Sequence, residues 1–302
     1  MIYRELGKTG FQVSVIGIGT HQFGGEWGQP FTAENVHMIL AKGNELGINL
    51  IDTAASYGDH LAEELIGKAI QKNRSDWIIA TKFGNTYSQR RRCVLPDFSL
   101  RTIRMQLEKS LKALRTDYID LYQFHSGTNE DFDQDELWDF LHQQTRNGTV
   151  RALGLSIANN LVTAEDAYQL TNAPRKGIAA IQVVYNRLVR KAEKTILPYC
   201  RDAGIGILAR VPLARGILSG KFDPNHTFSP DDYRARFGVD ANRAFLQKAN
   251  QIKKNEVPDG VEMAQWALSW CLKNSATTSV IPGCRSVQHV ESNARAVDLI
   301  IR

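Results

Sequence analysis

Short apolar runs alternate with longer amphipathic stretches along almost the whole chain. Eight runs rich in valine, isoleucine and leucine stand out, at residues 15–18, 48–51, 77–80, 118–124, 150–155, 178–184, 205–208 and 279–281. Apolar residues at successive positions suit parallel strands covered on both faces. The stretches between them read as helices. Thr32 is placed to cap one that ends near Gly47. Residues 61–70 put Leu61, Leu65, Ile66 and Ala69 on one side, and residues 99–114 do the same with Ile103, Leu107, Leu111 and Leu114. Further helices are predicted over residues 135–146, 163–170, 192–203, 261–271 and 287–300. Strand–helix alternation implies an α/β fold with a parallel sheet. Eight repeats favour closure into a (β/α)₈ TIM barrel, although pattern alone leaves a doubly wound sheet open.

Two segments fall outside the alternation. Residues 4–13 read as an N-terminal β-hairpin turning at Lys8-Thr9-Gly10. Residues 216–242, with their Gly, Pro, Asp and Asn, read as an elaborated loop after strand 7. No linker composition interrupts the pattern, so residues 1–302 are expected to form a single barrel domain.

Composition narrows the function classes. A net charge of +5 is mild for 302 residues and argues against a nucleic-acid partner. The one basic run, Arg90-Arg91-Arg92, is either a solvated loop or a contact for an anionic ligand. Cys93, Cys200, Cys271 and Cys284 form no CxxC pair and none stands at metal spacing from a histidine, so reduced thiols and no metal are expected. The N-terminus lacks an apolar signal core, and no apolar run reaches the roughly 20 residues that span a bilayer. No membrane association and a cytoplasmic location are therefore expected.

The familiar nucleotide motifs are absent. Gly17-Ile-Gly19 lacks the third glycine of a dinucleotide fingerprint. Gly204-Ile-Gly206-Ile-Leu-Ala209 fits its letters but lies in a run that enters a strand. Residues 216–221 lack the Walker spacing, and HExxH and GxSxG do not occur. A dinucleotide, if bound, is held outside the Rossmann mode.

Active sites of (β/α)₈ barrels sit where the strands end. Asp52, Lys82, His125, Ser156 and Gln182 each follow or close an apolar run, so a barrel would gather them at one mouth. The segment Gly47-Ile-Asn-Leu-Ile-Asp52-Thr-Ala-Ala-Ser-Tyr57-Gly58 resembles the signature of the aldo-keto reductases. The resemblance extends from Leu6-Gly-Lys-Thr-Gly10 to Ile281-Pro-Gly283, with the separate motifs in the family's order. It implies an NADP(H)-dependent oxidoreductase acting on a small carbonyl or alcohol substrate. It places the catalytic positions at Asp52, Tyr57, Lys82 and His125. Taken singly, these residues could be a helix cap, a packed aromatic, a solvated charge and a structural histidine. Together they make chemical sense. Carbonyl reduction leaves charge on oxygen, and a phenol beside an ammonium is a suitable proton donor. The ammonium of Lys82 is expected to lower the Tyr57 pKa, Asp52 to hold Lys82, and His125 to orient the carbonyl.

The same resemblance assigns the cofactor contacts. Gly19, Thr20 and Asp52 would border the nicotinamide, and Ser156 and Gln182 would bond its carboxamide. The segment from Arg210 to Lys221, with Pro212, Leu213 and Gly216, resembles the family's seventh-strand motif. Arg210 replaces a common aromatic there, and Lys221 would face the pyrophosphate. Gly283, Arg285, His289 and Asn293 resemble the adenosine-phosphate site, where Arg285 favours NADP(H) over NAD(H) through a 2′-phosphate. Departures occur at Ile157, where a polar residue is common, at His289, and at Ser292, where an acid is common. Arg234 or Arg236 would supply a second phosphate cation. His21, Phe23, Trp27 and Tyr87 are candidates for the substrate pocket or simply close the mouth, and the short loop at 126–134 suggests an open site. The alternative reading is a nucleotide-binding regulatory subunit of the same fold, resembling potassium-channel β subunits, with little turnover. A Schiff-base aldolase using Lys82 is a third. The oligomeric state is not legible.

Overall fold

The computed structural model describes residues 1–25, 27–28, 30–88, 93–158 and 164–301. Its strands are β1 (Tyr3–Glu5), β2 (Gln12–Ser14), β3 (Ile18–Gly19), β4 (Leu50–Asp52), β5 (Ile78–Phe83), β6 (Asn85–Ser88), β7 (Cys93–Pro96), β8 (Ile119–His125), β9 (Val150–Ser156), β10 (Ile178–Val184), β11 (Gly206–Arg210) and β12 (Ser279–Ile281). Eight of them run parallel in the order β3-β4-β5-β8-β9-β10-β11-β12. The ring shuts where Gly17 N–H donates to Val280 O at 2.8 Å and Gly19 N–H to Pro282 O at 2.9 Å. The eight apolar runs of the sequence are these eight strands, and the fold is a (β/α)₈ barrel.

The helices are α1 (Ala33–Glu45), α2 (Leu61–Ile70), α3 (Leu100–Leu114), α4 (Asn129–Phe132), α5 (Asp135–Arg146), α6 (Ala164–Asn172), α7 (Ile196–Ala203), α8 (Val239–Asn255), α9 (Met263–Leu272), α10 (Val287–Ala294) and α11 (Asp298–Ile301). Thr32 caps α1 in a reciprocal box with Asn35, which satisfies two amides the helix leaves open. Ser99 caps α3 by accepting from Thr102 N–H. Thr163, read as the start of the sixth helix, lies outside the described residues.

Side chains alternate between the two faces of each strand. Outward residues such as Ile51, Ile79, Tyr122 and Leu155 pack on the helices. Inward residues fill the lower barrel with Leu50, Ala80, Leu121, Ala152, Ala180 and Leu208. The β1–β2 hairpin closes that end from below by adding Leu6, Phe11 and Val13 to the same cluster. Its turn comes so close that a Cβ on Gly7 would lie 2.3 Å from Gly206 N, and Gly7 adopts φ +55°.

Three features correct the sequence reading. The elaborated loop expected over 216–242 is present, but its last four residues already belong to α8. It holds 3₁₀ turns at Ala214–Ser219 and Tyr233–Phe237, and then α8 begins. Only Asn242, Leu246, Ala249 and Ile252 of α8 are buried, so its apolar stripe is thin. A β6–β7 hairpin follows β5, and its register pairs Tyr87 with Val94. The segment 126–134 carries the short helix α4, capped by Thr128 and anchored by the buried Phe132.

Candidate active site

The inward parity that supplies the barrel floor continues upward along the same strands and turns polar. Leu50 is followed by Asp52, Ala80 by Lys82, and Leu121 by Gln123 and His125. Ala180 is followed by Gln182, and Leu208 by Arg210. Register sets these residues side by side, with Lys82 opposite Gln123, His125 opposite Ser156, and Ser156 opposite Gln182.

Lys82 is the centre of the arrangement. It is 1% exposed, so its ammonium needs partners. Its Nζ lies 2.9 Å from the Asp52 carboxylate, 2.8 Å from Thr53 O and 3.2 Å from Tyr57 Oη. Gln182 Nε2 donates to Asp52 Oδ1 at 2.6 Å, so the carboxylate is held from both sides. Gln123 Oε1 accepts from Gln182 Nε2 at 3.3 Å and extends the network across the mouth. Tyr57 arrives from the β4–α2 loop, and its ring stands edge-on to His125 at 6.5 Å. Asn85 Nδ2 holds the His125 carbonyl at 2.8 Å. The four residues singled out in the sequence thus come together.

Burial acts against the Lys82 charge, but Asp52 and Tyr57 outweigh it, and the Lys82 pKa lies above its ordinary value. The Tyr57 phenol is also pushed up. Burial dominates, and Lys82 offsets it only in part. Lys82 acts in the expected direction, but the cost of a buried phenolate, added to the charge of Asp52, outweighs it. Burial likewise holds His125 well below its ordinary value, helped by the cations of Lys82 and Arg210.

The rim is aromatic. His21 lies 4.7 Å from the Tyr57 ring, and Trp27 Nε1 donates to His21 Nδ1 at 3.1 Å. Tyr233 packs on Trp27 at 4.5 Å and on His21 at 5.8 Å. The segment after β3 therefore meets the segment after β11 over the mouth, and the site is less open than the loop at 126–134 suggested. Phe23 is not a pocket residue, because it is fully buried against Phe31. Tyr87 stands on the β6–β7 hairpin. Arg90, Arg91 and Arg92 lie outside the described residues.

The remaining candidates form the ridge on the far side. Thr20 is buried and its Oγ1 donates to Asp52 O at 2.9 Å. Arg210 donates to Ile157 O at 2.9 Å. Pro212 is buried and Leu213 packs on the core beside a run of left-handed backbone at Val211, Ala214, Arg215 and Gly216. Non-glycine residues hold that conformation only where their surroundings impose it. Lys221 Nζ stands 3.4 Å from His289 Nε2, and Arg285 N–H donates to His289 Nδ1 at 3.3 Å. Burial, with the charges of Lys221 and Arg285, holds the His289 pKa below its ordinary value beside the start of α10, which Ser286 caps. Asn293 is buried and donates to Cys284 Sγ, and Ser292 donates to Glu262 at 2.7 Å. Arg234 is engaged by Asp232, by the Phe222 and Phe228 rings and by Arg215 O.

The sequence profile of the Aldo/keto reductase family matches residues 15–301. The chain belongs to the aldo/keto reductase family. Among curated relatives, Aldo-keto reductase YhdN of Bacillus subtilis (strain 168) is 32% identical over 299 residues, covering 97% of this chain and 87% of the relative. NADH-specific methylglyoxal reductase of Escherichia coli (strain K12) is 29% identical over 322 residues, with 97% and 93% covered. Among solved structures, the holo form of aldo-keto reductase AKR11C1 from Bacillus halodurans superposes with a TM-score of 0.82 at 28% identity, covering 99% of this chain and 91% of that one. Glycerol dehydrogenase AKR11B4 from Gluconobacter oxydans gives 0.83 at 28% identity, with 99% and 94% covered.

Sequence reasoning missed Gln123, Asn85 and Tyr233. The alternation Leu121-Gln123-His125 was a readable signal for the first. Tyr233 lies in a segment without periodicity, and nothing local marks it.

Proposed function

We propose that this chain is an NADP(H)-dependent carbonyl reductase in which Tyr57 is the general acid. The observation that carries the proposal is the 3.2 Å contact between Tyr57 Oη and Lys82 Nζ at the barrel mouth, braced by Asp52. A reduced nicotinamide, when bound, would supply the hydride equivalent that carbonyl reduction requires. The phenol of Tyr57 gives its proton to the carbonyl oxygen, and Lys82 stabilises the phenolate that remains. A phenol whose ordinary pKa is about 10 carries its proton at neutral pH, and burial pushes Tyr57 further in that direction. His125, neutral because of its burial and its cationic neighbours, donates a second hydrogen bond to the same oxygen.

The residues present fit a phosphorylated dinucleotide. Gly19 and Gly283 leave bare backbone beside the mouth, where a Cβ would meet Ile281 O at 2.8 Å and the Gln22 amide at 3.0 Å. Ser156 and Gln182 would hold the carboxamide. The cluster of Lys221, Arg285 and His289 at the start of α10 has the donor set for a phosphate monoester, which favours NADP(H). Arg234 is tied to Asp232, which leaves Arg236 as the other candidate cation.

A screen of aldehydes with NADPH and with NADH tests the reading. Tyr57→Phe is expected to lower kcat by about 10² to 10⁴ with the melting temperature retained. Near wild-type turnover in that variant would remove Tyr57 as the acid. Arg285→Ala is expected to raise the KM for NADPH about tenfold and to change that for NADH far less. Equal changes would refute the phosphate assignment and leave the acid untouched.

A further inference from the structure

Arg210 closes β11, two residues after Leu208 of the barrel floor, so its side chain points inward at the mouth. One guanidinium nitrogen donates to Ile157 O at 2.9 Å, next to Ser156. Backbone register sets Arg210 opposite Val184 on β10 and Ile281 on β12. The sheet order then fixes what stands on either side. Ser156 and Gln182, the carboxamide contacts of the reading above, belong to β9 and β10. Gly19 and Gly283, the bare backbone of the proposed cradle, bridge β3 to the end of β12. A nicotinamide held at both places would cross the end of β11, where Arg210 stands. The guanidinium acts on the whole mouth, because its charge is felt by Tyr57, His125 and His21 and lowers the proton affinity of each.

Burial lowers the Arg210 pKa, with Tyr57 and Asp52 working against it, and a guanidinium stays charged in a protein. Lys82, another cation of the mouth, is paired with Asp52 at 2.9 Å, so that pair adds little net charge. The two redox forms of a nicotinamide differ by one positive charge on the ring, present when oxidised and absent when reduced. The rest of the dinucleotide is the same in both. A fixed cation beside the ring therefore acts on one form only. Trp27 and Tyr233 pack over the mouth, so water screens that interaction less than at an open surface. We infer that Arg210 discriminates between cofactor redox states: its guanidinium weakens the hold on oxidised dinucleotide and leaves the hold on reduced dinucleotide little changed. The inference rests on the dinucleotide reading of the mouth. Its consequence is directional. The chain takes up the reduced form and sheds the oxidised one, which is then a poor product inhibitor.

Equilibrium binding of NADPH and NADP⁺ to the full chain, read by titration calorimetry, tests this without turnover. The readout is the dissociation constant of NADP⁺ divided by that of NADPH. Wild type is expected to give a ratio of about ten or more, a conservative share of the repulsion between two unit charges at an effective dielectric of about 20. Arg210→Met, neutral and of similar reach, is expected to lower the ratio about tenfold by tightening NADP⁺, with NADPH changed far less. Arg210→Lys, which keeps the charge, is expected to retain most of the wild-type ratio. A ratio in Arg210→Met within twofold of wild type, or Arg210→Lys as altered as Arg210→Met, would overturn the inference. Equal weakening of both forms in Arg210→Met would reduce Arg210 to a brace for Ile157 and overturn it as well. Wild type alone gives a readout independent of any variant's folding: a ratio near one would be fatal. Failure to bind either dinucleotide would sink the cofactor reading itself, whereas binding with an unmoved ratio sinks this inference alone.

Discussion

At the floor of the barrel, Leu50, Ala80, Leu121 and Leu208 meet Leu6, Phe11 and Val13 of the hairpin in a closed apolar cluster. Two residues further along the same strands stand Asp52, Lys82, Gln123 and Arg210, which form the mouth. Backbone geometry is shared between the two ends. Chemistry is not. The floor gains stability from area removed from water, about 25 cal/mol per Å² of apolar surface. The mouth buries an ammonium and a carboxylate, whose desolvation penalty can exceed their attraction, so it is weak evidence for stability. One end holds the strands in register, and the register then delivers the polar side chains to each other. A change at the floor should therefore be read in melting behaviour, and a change at the mouth in kinetics.

Leu121→Ala is the largest expected effect on stability. The side chain is fully buried at the floor, and truncation is expected to cost about 2–5 kcal/mol of unfolding free energy. Activity per folded molecule should stay near wild type, because Gln123 and His125 keep their strand. Denaturant unfolding paired with kcat measures both. A kcat that falls in proportion to stability would break the separation between the two ends.

Glu63 probes what joins them. This carboxylate is fully buried outside the barrel and accepts from Thr81 Oγ1 at 2.5 Å, Ser110 Oγ at 3.0 Å and His60 Nδ1 at 2.6 Å. Thr81 precedes Lys82 on β5, and His60 follows Tyr57 by three residues in left-handed backbone at φ +68°. One side chain thus braces both segments that carry the ammonium and the phenol. Glu63→Gln keeps the shape and removes the charge, and is expected to cost about 1–3 kcal/mol of stability. Because it acts on the spacing of Tyr57 and Lys82, kcat is expected to fall about tenfold with KM little changed. Loss of stability without loss of kcat would make Glu63 a floor-like residue.

Much of this division was legible in the chain. Near-continuous apolar runs marked the eight barrel strands because strands covered on both faces leave no polar side. The ends of those runs pointed to Asp52, Lys82, His125, Ser156 and Gln182. Three matters were not legible, each for a physical reason. Helix α8 fully buries only Leu246, Ala249 and Ile252 among its apolar residues, with Phe245 partly buried beside them, since it covers a satellite cluster and not the barrel wall. The contact of Trp27 with Tyr233 joins positions far apart in sequence, and local pattern carries no trace of it. The direction of the Tyr57 shift depends on how deeply the phenol is buried, and sequence shows the neighbouring ammonium but not the desolvation that outweighs it.

The smallest expected effect sharpens the comparison through pH. His21 has a folded pKa of about 4, against an ordinary 6.5. The unfolded chain therefore binds more protons at this residue between those values, and stability rises with pH across that window. Stability is full above about pH 6.5 and is lost as pH falls toward 4. The whole separation at about 1.4 kcal/mol per unit would exceed 3 kcal/mol, but the ring is only partly buried, so about 1–2 kcal/mol is expected. His125, depressed in the same direction, adds to the loss. The floor holds no such group, so Leu121→Ala should be destabilised by equal amounts at pH 5 and pH 7. His21→Gln should lose less stability than wild type on the same step. Urea unfolding at the two pH values decides the matter: identical losses in wild type and His21→Gln would show that the imidazole is solvated and readily protonated in the folded protein, and the mouth would no longer be the pH-sensitive end.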